Sequence, residues 1–199
     1  MAISIRKATA SDIPGILALY SVYIMETTHT FEYVVPSLDE FHDRFDTITE
    51  HFPWLVCEYD GQLAGYAYAS AAFKRAAYSW DADLTVYLDN RFHRLGLATA
   101  LYSCLIDLLK LQGYYNLYAA ISANNTPSVN FHRTFGFTDV GVFHKSGYKM
   151  GTWLDVLWME KSLRHHNLEP TPTVAFNQLP PHDISRILSS HGSTTNPAV

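Results

Sequence analysis

Residues 85–102 read TVYLDNRFHRLGLATALY. The β-branched Thr85 and Val86 belong to a strand, Asp89 to Arg94 form a short basic loop, and leucines at helical spacing follow. Leu101, Leu105, Leu108 and Leu109 share one helix face. Strand, loop and helix succeed one another without a spacer. Gly96 stands at the helix start, with small Ala98 and Thr99 close behind. A helix N-terminus leaves backbone N–H groups unpaired and carries positive partial charge, so small side chains there let an anion approach. Arg91, His93 and Arg94 add positive character. Arg94 to Thr99 is therefore a candidate diphosphate cradle. It lacks both the Gly-Lys-Ser/Thr of a triphosphatase loop and the three-glycine dinucleotide spacing. Taken alone, the stretch would also suit an ordinary basic turn with a packing glycine.

Working outward, Ile3 to Arg6 alternates as a short strand, and the spacing predicts a helix over Ser11 to Met25 with Pro14 in its first turn. Ser37 caps a second helix with Leu38, Phe41, Phe45 and Ile48 on one face. WLVCEY, the turn Asp60-Gly61 and QLAGYAYASA read as a hairpin. A longer strand covers 76–88. Beyond the long helix, which Gly113 stops, come a strand over 115–122, a capped helix closed by Gly136, and two strands over 137–163 turning near Lys145 to Met150. The order βααβββαβαββ predicts an α+β domain over 1–163, with helices flanking a mixed, mainly antiparallel sheet. From 164 to 199 the chain is rich in Pro, Ser, Thr and His and reads as a tail, with Phe176, Leu179, Ile184, Ile187 and Leu188 able to dock on the body or on a partner chain.

The 199 residues are 48% hydrophobic and 17% charged, enough for one packed core. A formal charge of −5 excludes a broad nucleic-acid surface. No apolar run approaches the roughly 20 residues that span a bilayer, and no signal-peptide core precedes the first strand, so the expectation is a cytoplasmic protein with no membrane partner. Cys57 and Cys104 lie in apolar runs and read as buried free thiols. The histidines lack metal-ligand spacing, so no metal site is expected.

With these blocks assembled, the sequence resembles the GNAT acetyltransferase superfamily. Its acetyl-CoA loop has the pattern Gln/Arg-x-x-Gly-x-Gly/Ala, which His93-Arg94-Leu95-Gly96-Leu97-Ala98 matches except at the first position. A second signature runs through Asn125, Ser128, Phe131, His132 and Gly136-Phe137. Residues 53–70, 75–88 and 151–163 are similar to the phosphinothricin and methionine sulfoximine N-acetyltransferase subgroup. The resemblance spans Ile3 to Leu163.

The resemblance implies acetyl-CoA as co-substrate and a small-molecule amine as acceptor. It places Val86, Tyr87 and Leu88 beside the pantetheine arm through backbone contacts, with Arg94 to Thr99 on the pyrophosphate and Asn125 and Ser128 further along. It makes Asp83 the base, at a position where the subgroup carries a carboxylate, usually Glu. The shorter Asp suits a bridging water, or else caps a bulge or pairs with a neighbouring cation. His132 stands where many members carry the Tyr that protonates the leaving thiolate; the alternative is a helix His with a local partner. The acceptor would be lined by Phe31 and Glu32, by Arg75 and Tyr78, and by the last turn with Trp153. Arg75 corresponds to an Arg that holds an acidic end, for which a guanidinium is suited. The second cation that relatives carry two positions earlier is replaced by Phe73, and Lys74 is shifted onto the other strand face. A homodimer is implied as well. Competing readings are a peptide or polyamine acetyltransferase and a non-catalytic acetyl-CoA-binding module.

Overall fold

A computed structural model describes residues 2–167 and 169–192. The elements are β1 (Ile3–Lys7), α1 (Ile13–Glu26), α2 (Leu38–Thr49), β2 (Trp54–Tyr59), β3 (Gln62–Ala71), β4 (Asp81–Leu88), α3 (Leu97–Gln112), β5 (Asn116–Ser122), α4 (Thr126–Thr134), β6 (Thr138–Lys149), β7 (Thr152–Ser162) and α5 (Pro181–Gly192). The strands form a seven-stranded sheet in the order β1-β2-β3-β4-β5-β7-β6. Every neighbouring pair is antiparallel except β4 with β5.

Local chemistry explains the boundaries. Ser37 Oγ accepts from the Glu40 N–H at 3.2 Å while the Glu40 carboxylate accepts from Ser37 N–H at 2.7 Å, a reciprocal cap that starts α2. Asp60 and Gly61 both take positive φ, 48° and 77°, as a tight hairpin turn of matching twist requires. Alternation along β3 sends Ala67 and Ala69 to the α3 side and Tyr66 to the α1/α2 side. The small alanines let α3 pack through Leu101, Leu105 and Leu108, whereas Ile13, Ile16, Phe41, Phe45 and Trp54 fill the other layer. Cys57 and Cys104 are buried free thiols, and burial pushes both up to about 12. Among the described residues no helix is long and apolar enough to cross a membrane.

Three boundaries differ from expectation. Residues 76–78 form a short 3-10 turn, so β4 starts at Asp81. The last hairpin turns at Met150-Gly151, where φ is 50° and 77°; Lys145, also at positive φ, lies inside β6 at a register shift between Phe143 and Gly147. The chain after β7 folds back on the body. Val174 N–H donates to Gln112 O at 2.8 Å, Phe176 N–H donates to His51 O at 2.9 Å, and Gln112 Nε2 ties His51 O to Val174 O. Phe176, Leu179 and Ile184 are buried in the α3-side core, and His191 Nε2 lies 3.0 Å from Asp107. Residues 193–199 of the expected tail lie outside the described residues.

The sheet opens in the middle. β4 and β5 pair only from Asp81 with Asn116 to Asp83 with Tyr118. Beyond that point β4 stays with β3 and β5 stays with β7. Ala72 N–H donates to Asp81 O and Asp89 N–H donates to Ala64 O, so odd-numbered residues of this strand bond to β3. Antiparallel alternation then turns the N–H and C=O groups of Leu84, Val86 and Leu88 toward the opening.

Candidate active site

The opening leads directly to the basic loop. Asp89 caps a 3-10 turn over Asn90–Phe92 by accepting from Arg91 N–H at 2.9 Å. The Arg91 guanidinium folds back onto the same carboxylate at 2.7 Å, and His93 and Arg94 are the loop's other exposed basic side chains. Arg94 takes φ 64° and Gly96 φ 77°, both left-handed. Leu97 is buried and anchors the helix start, whereas Leu95, Gly96 and Thr99 are exposed. The first helical bond of α3 runs from Ala100 N–H to Gly96 O, so the amides of Leu97, Ala98 and Thr99 have no partner within the helix. A Cβ built on Gly96 would meet no atom within 4 Å. Amides unpaired within the helix, open space at Gly96 and a helix dipole converge where the sequence analysis expects a diphosphate.

Of the three strand residues assigned to a ligand arm, the structure orients two toward the opening. Val86 and Leu88 face it, although the Leu88 carbonyl already accepts from the Tyr23 hydroxyl. The Tyr87 backbone faces β3, and its ring packs with those of Tyr20, Tyr23 and Tyr66.

Asp83 stands where β4 and β5 part. Its Oδ1 is sealed from solvent and has no hydrogen-bond partner among the described residues. Among the described residues no cation pairs with it, and burying an unpaired carboxylate costs several kcal/mol. Burial accordingly pushes the carboxyl up to about 7. Its charge is felt by the phenols of Tyr68 and Tyr102.

His132 is buried on α4 among the rings of Tyr102, Phe131 and Phe137. Its Nδ1 lies 2.8 Å from Ser128 O, so Nδ1 carries the proton and donates. Nε2 is left as an acceptor, buried and without a partner among the described residues. Burial pulls the imidazole below its usual value, so the ring is neutral at pH 7. Asn125 Oδ1 caps α4 by accepting from Ser128 N–H at 3.2 Å.

The acceptor-loop residues come together against β6. The Phe31 ring lies on Gly147, where an added Cβ would overlap it. Tyr33 donates its hydroxyl to Tyr148 O, and Lys149 Nζ donates to Thr30 O at 2.7 Å. Glu32 pairs with Arg44 at 2.8 Å. Trp153 is exposed and packs on Tyr148. Arg75 and Tyr78 stand apart from this group, lining a cavity of about 620 Å³ that Asp83 does not line. Phe73 bridges the two places: it lines that cavity and packs against Tyr118, whose Cα pairs with Asp83.

The resemblance reaches Lys149 as the start of the last-turn stretch at the acceptor, and burial there holds its ammonium below its usual value. Sequence reasoning missed other contributors. Arg44 and the 2.7 Å Tyr20–Thr30 hydroxyl pair arise only from tertiary contact. Trp158 keeps a buried, unpartnered indole N–H between Phe73 and Phe143. Among the described residues no group of three or more His, Cys, Asp or Glu could hold a metal ion.

An acetyltransferase (GNAT) domain matches residues 5–158. The phosphinothricin N-acetyltransferase of Streptomyces viridochromogenes is 37% identical over 154 residues, covering 77% of this chain and 84% of the relative. The L-methionine sulfoximine/L-methionine sulfone acetyltransferase of Pseudomonas aeruginosa is 32% identical over 173 residues, 86% of this chain and 98% of the relative. The structure of a phosphinothricin acetyltransferase from Sinorhizobium meliloti in complex with AcCoA superposes with a TM-score of 0.83 at 32% identity, covering 87% of this chain and 96% of that one. Sequence match, seven-stranded topology and opened sheet agree, and the chain belongs to the GNAT acetyltransferase family.

Proposed function

We propose that the chain acetylates the primary amine of a small amino-acid-like acceptor of the phosphinothricin, methionine sulfoximine or methionine sulfone type, using acetyl-CoA in a ternary complex. The observation that carries this reading is the half-buried Asp83 at the head of the β4/β5 opening, whose Oδ1 is sealed from solvent with no hydrogen-bond partner among the described residues. Acetyl-CoA supplies an activated acetyl thioester. The residues present fit it: Val86 turns its backbone groups toward the opening, and the amides of Leu97 to Thr99 have no partner within the helix at its end, next to the open space at Gly96.

With its carboxyl near 7, Asp83 is substantially ionised at pH 7–8 and basic enough to take a proton from an ammonium, directly or through a water. Such base catalysis contributes about 10² to 10⁴-fold. His132 enters neutral with Nε2 bare, so it can take a proton and return it, but it holds none to give at the outset. Arg75 holds the acceptor's acidic end. Residues 1–163 make up the transferase unit, with the remainder as an accessory segment. The protein acts in the cytoplasm as a homodimer. Support for the dimer comes from exposed Val140, Val142 and Phe143 on the edge strand β6.

The test is thiol release from acetyl-CoA over a panel of phosphinothricin, methionine sulfoximine, methionine sulfone, common amino acids, spermidine and short peptides. Turnover on the amino-acid class, lost through KM in Arg75→Ala, is the expected result. Turnover confined to peptides or spermidine would discard the acceptor, and acetyl-CoA binding without turnover would discard catalysis.

A further inference from the structure

The cavity holding Arg75 has two walls of different origin. One is the connection between β3 and β4, with Phe73, Lys74, Arg75 and Tyr78; residues 73–75 lie outside both strands, so Lys74 shares this cavity with Arg75 instead of lying on an opposite strand face. The other is Thr173, Val174, Ala175 and Gln178, which lie beyond the family match that ends at residue 158. The second wall is tied to the first. Trp80 Nε1 donates to Thr171 O at 2.7 Å, and Thr173 Oγ1 reaches Ser79 O at 3.5 Å. It is held from behind by the Val174–Gln112 and Phe176–His51 backbone bonds and by the buried Phe176. Among the described residues neither Lys74 nor Arg75 has an ion-pair partner. The one carboxylate in the lining, Asp81, is engaged by Asn116 Nδ2 at 2.8 Å. The cavity therefore presents two cations without an ion-pair partner, beside the single Asp81 carboxylate, to a wall that ends in Gln178.

We infer that the segment from Thr173 to Gln178 is a specificity-determining wall of the acceptor cavity, closing around an anionic carboxylate or phosphinate held by Arg75 and Lys74. The inference rests on the acceptor class proposed above. A wall of uncharged residues adds no carboxylate to compete with the anion for the cations, and its fixed position limits how large the acidic end is. Gln178 is exposed at the end of a 3-10 turn and Ala175 is half-buried, so both tolerate substitution.

The full chain is assayed with phosphinothricin as probe, by steady-state rates and by calorimetric binding. Gln178→Glu sets a carboxylate opposite the bound anion. It is expected to raise KM and Kd for phosphinothricin about fivefold, the effect of one like charge in a partly solvated site, with kcat and the KM for acetyl-CoA unchanged. Ala175→Leu narrows the cavity without charge and should also raise KM for phosphinothricin. Unchanged KM and Kd in both variants, with Arg75→Ala still raising them, would overturn the wall while leaving the acceptor class standing. A wild-type protein that neither binds nor acetylates phosphinothricin, methionine sulfoximine or methionine sulfone would overturn the acceptor class, and this inference with it.

Discussion

Replacing Asp83 by Asn should make the protein more stable and less active, each in its own pH window. The wild-type carboxyl has no ion-pair partner among the described residues and is raised by burial from 3.8 to about 7. Between those values the unfolded chain has released the proton while the folded chain still holds it. Stability is therefore fully present below about pH 4 and drains away as pH rises to 7. At about 1.36 kcal/mol for each pH unit of separation, the ceiling is about 4 kcal/mol. Asn cannot ionise and removes this loss. At pH 8 the variant should exceed wild type by about 2–4 kcal/mol, or about 4–16 °C in Tm for a domain of this size. At pH 4 the difference should shrink to the small cost of an unpaired amide. In the same variant kcat/KM should fall about 10² to 10⁴-fold, and the wild-type rise in kcat/KM through pH 7 should vanish. The assays are calorimetric Tm at pH 4 and pH 8 and a pH–rate profile of thiol release. An equal Tm difference at both pH values would refute the raised carboxyl. A retained pH profile in the variant would refute Asp83 as the titrating base.

Gly96→Val forces a branched side chain into left-handed backbone, at about 1–2 kcal/mol, and puts methyl groups into the open space before α3; KM for acetyl-CoA should rise at least about tenfold in initial-rate measurements, and an unchanged KM would remove the cradle from the binding site. His132→Phe keeps the aromatic packing with Tyr102 and Phe137 but deletes Nε2. A fall in kcat of about tenfold or more with KM held would mark a proton-handling role, whereas an unaltered kcat would leave the ring a packing element. Phe176→Ala should cost about 3 kcal/mol in urea unfolding, since the ring is 7% exposed in the same core as α3; a loss below about 1 kcal/mol would show that the C-terminal segment unfolds independently of that core.

The fold was legible wherever local chemistry speaks with one voice. Ser37 with Glu40, Asp60-Gly61, Gly113 and the leucine face of α3 each announce a boundary that the structure keeps. The last turn was blurred because Lys145 and Met150 both take positive φ, one for a bulge and one for the hairpin. Helix α5 was hidden by its composition: Pro181, three serines and two histidines mask Ile184, Ile187 and Leu188, whose spacing was the only trace of an apolar face. At the site, the loop motif could be read because it depends on neighbours in sequence, whereas Asp83 was reached only through the resemblance. The separation of Arg75 from Asp83, the reversal of Tyr87 toward β3 and the Lys149–Thr30 clasp could not, because each is decided by strand register or by a contact across more than a hundred residues.

The parting of β4 from β5 has a cost for the chain as a material. An unpaired strand edge normally lies at the rim of a sheet, where charge, proline or a bulge discourages a stray chain from adding to it. Here such an edge lies in the interior, along Leu84 to Leu88, in apolar and aromatic sequence with no gatekeeper until Asp89. Any ligand that lies along it also acts as a guard: at a hundred times its Kd it would add about 2.7 kcal/mol of stability and cover the backbone groups that would otherwise template aggregation. The protein starved of that ligand is thus the form most prone to self-association, and its shelf life should track ligand occupancy more closely than its melting temperature does.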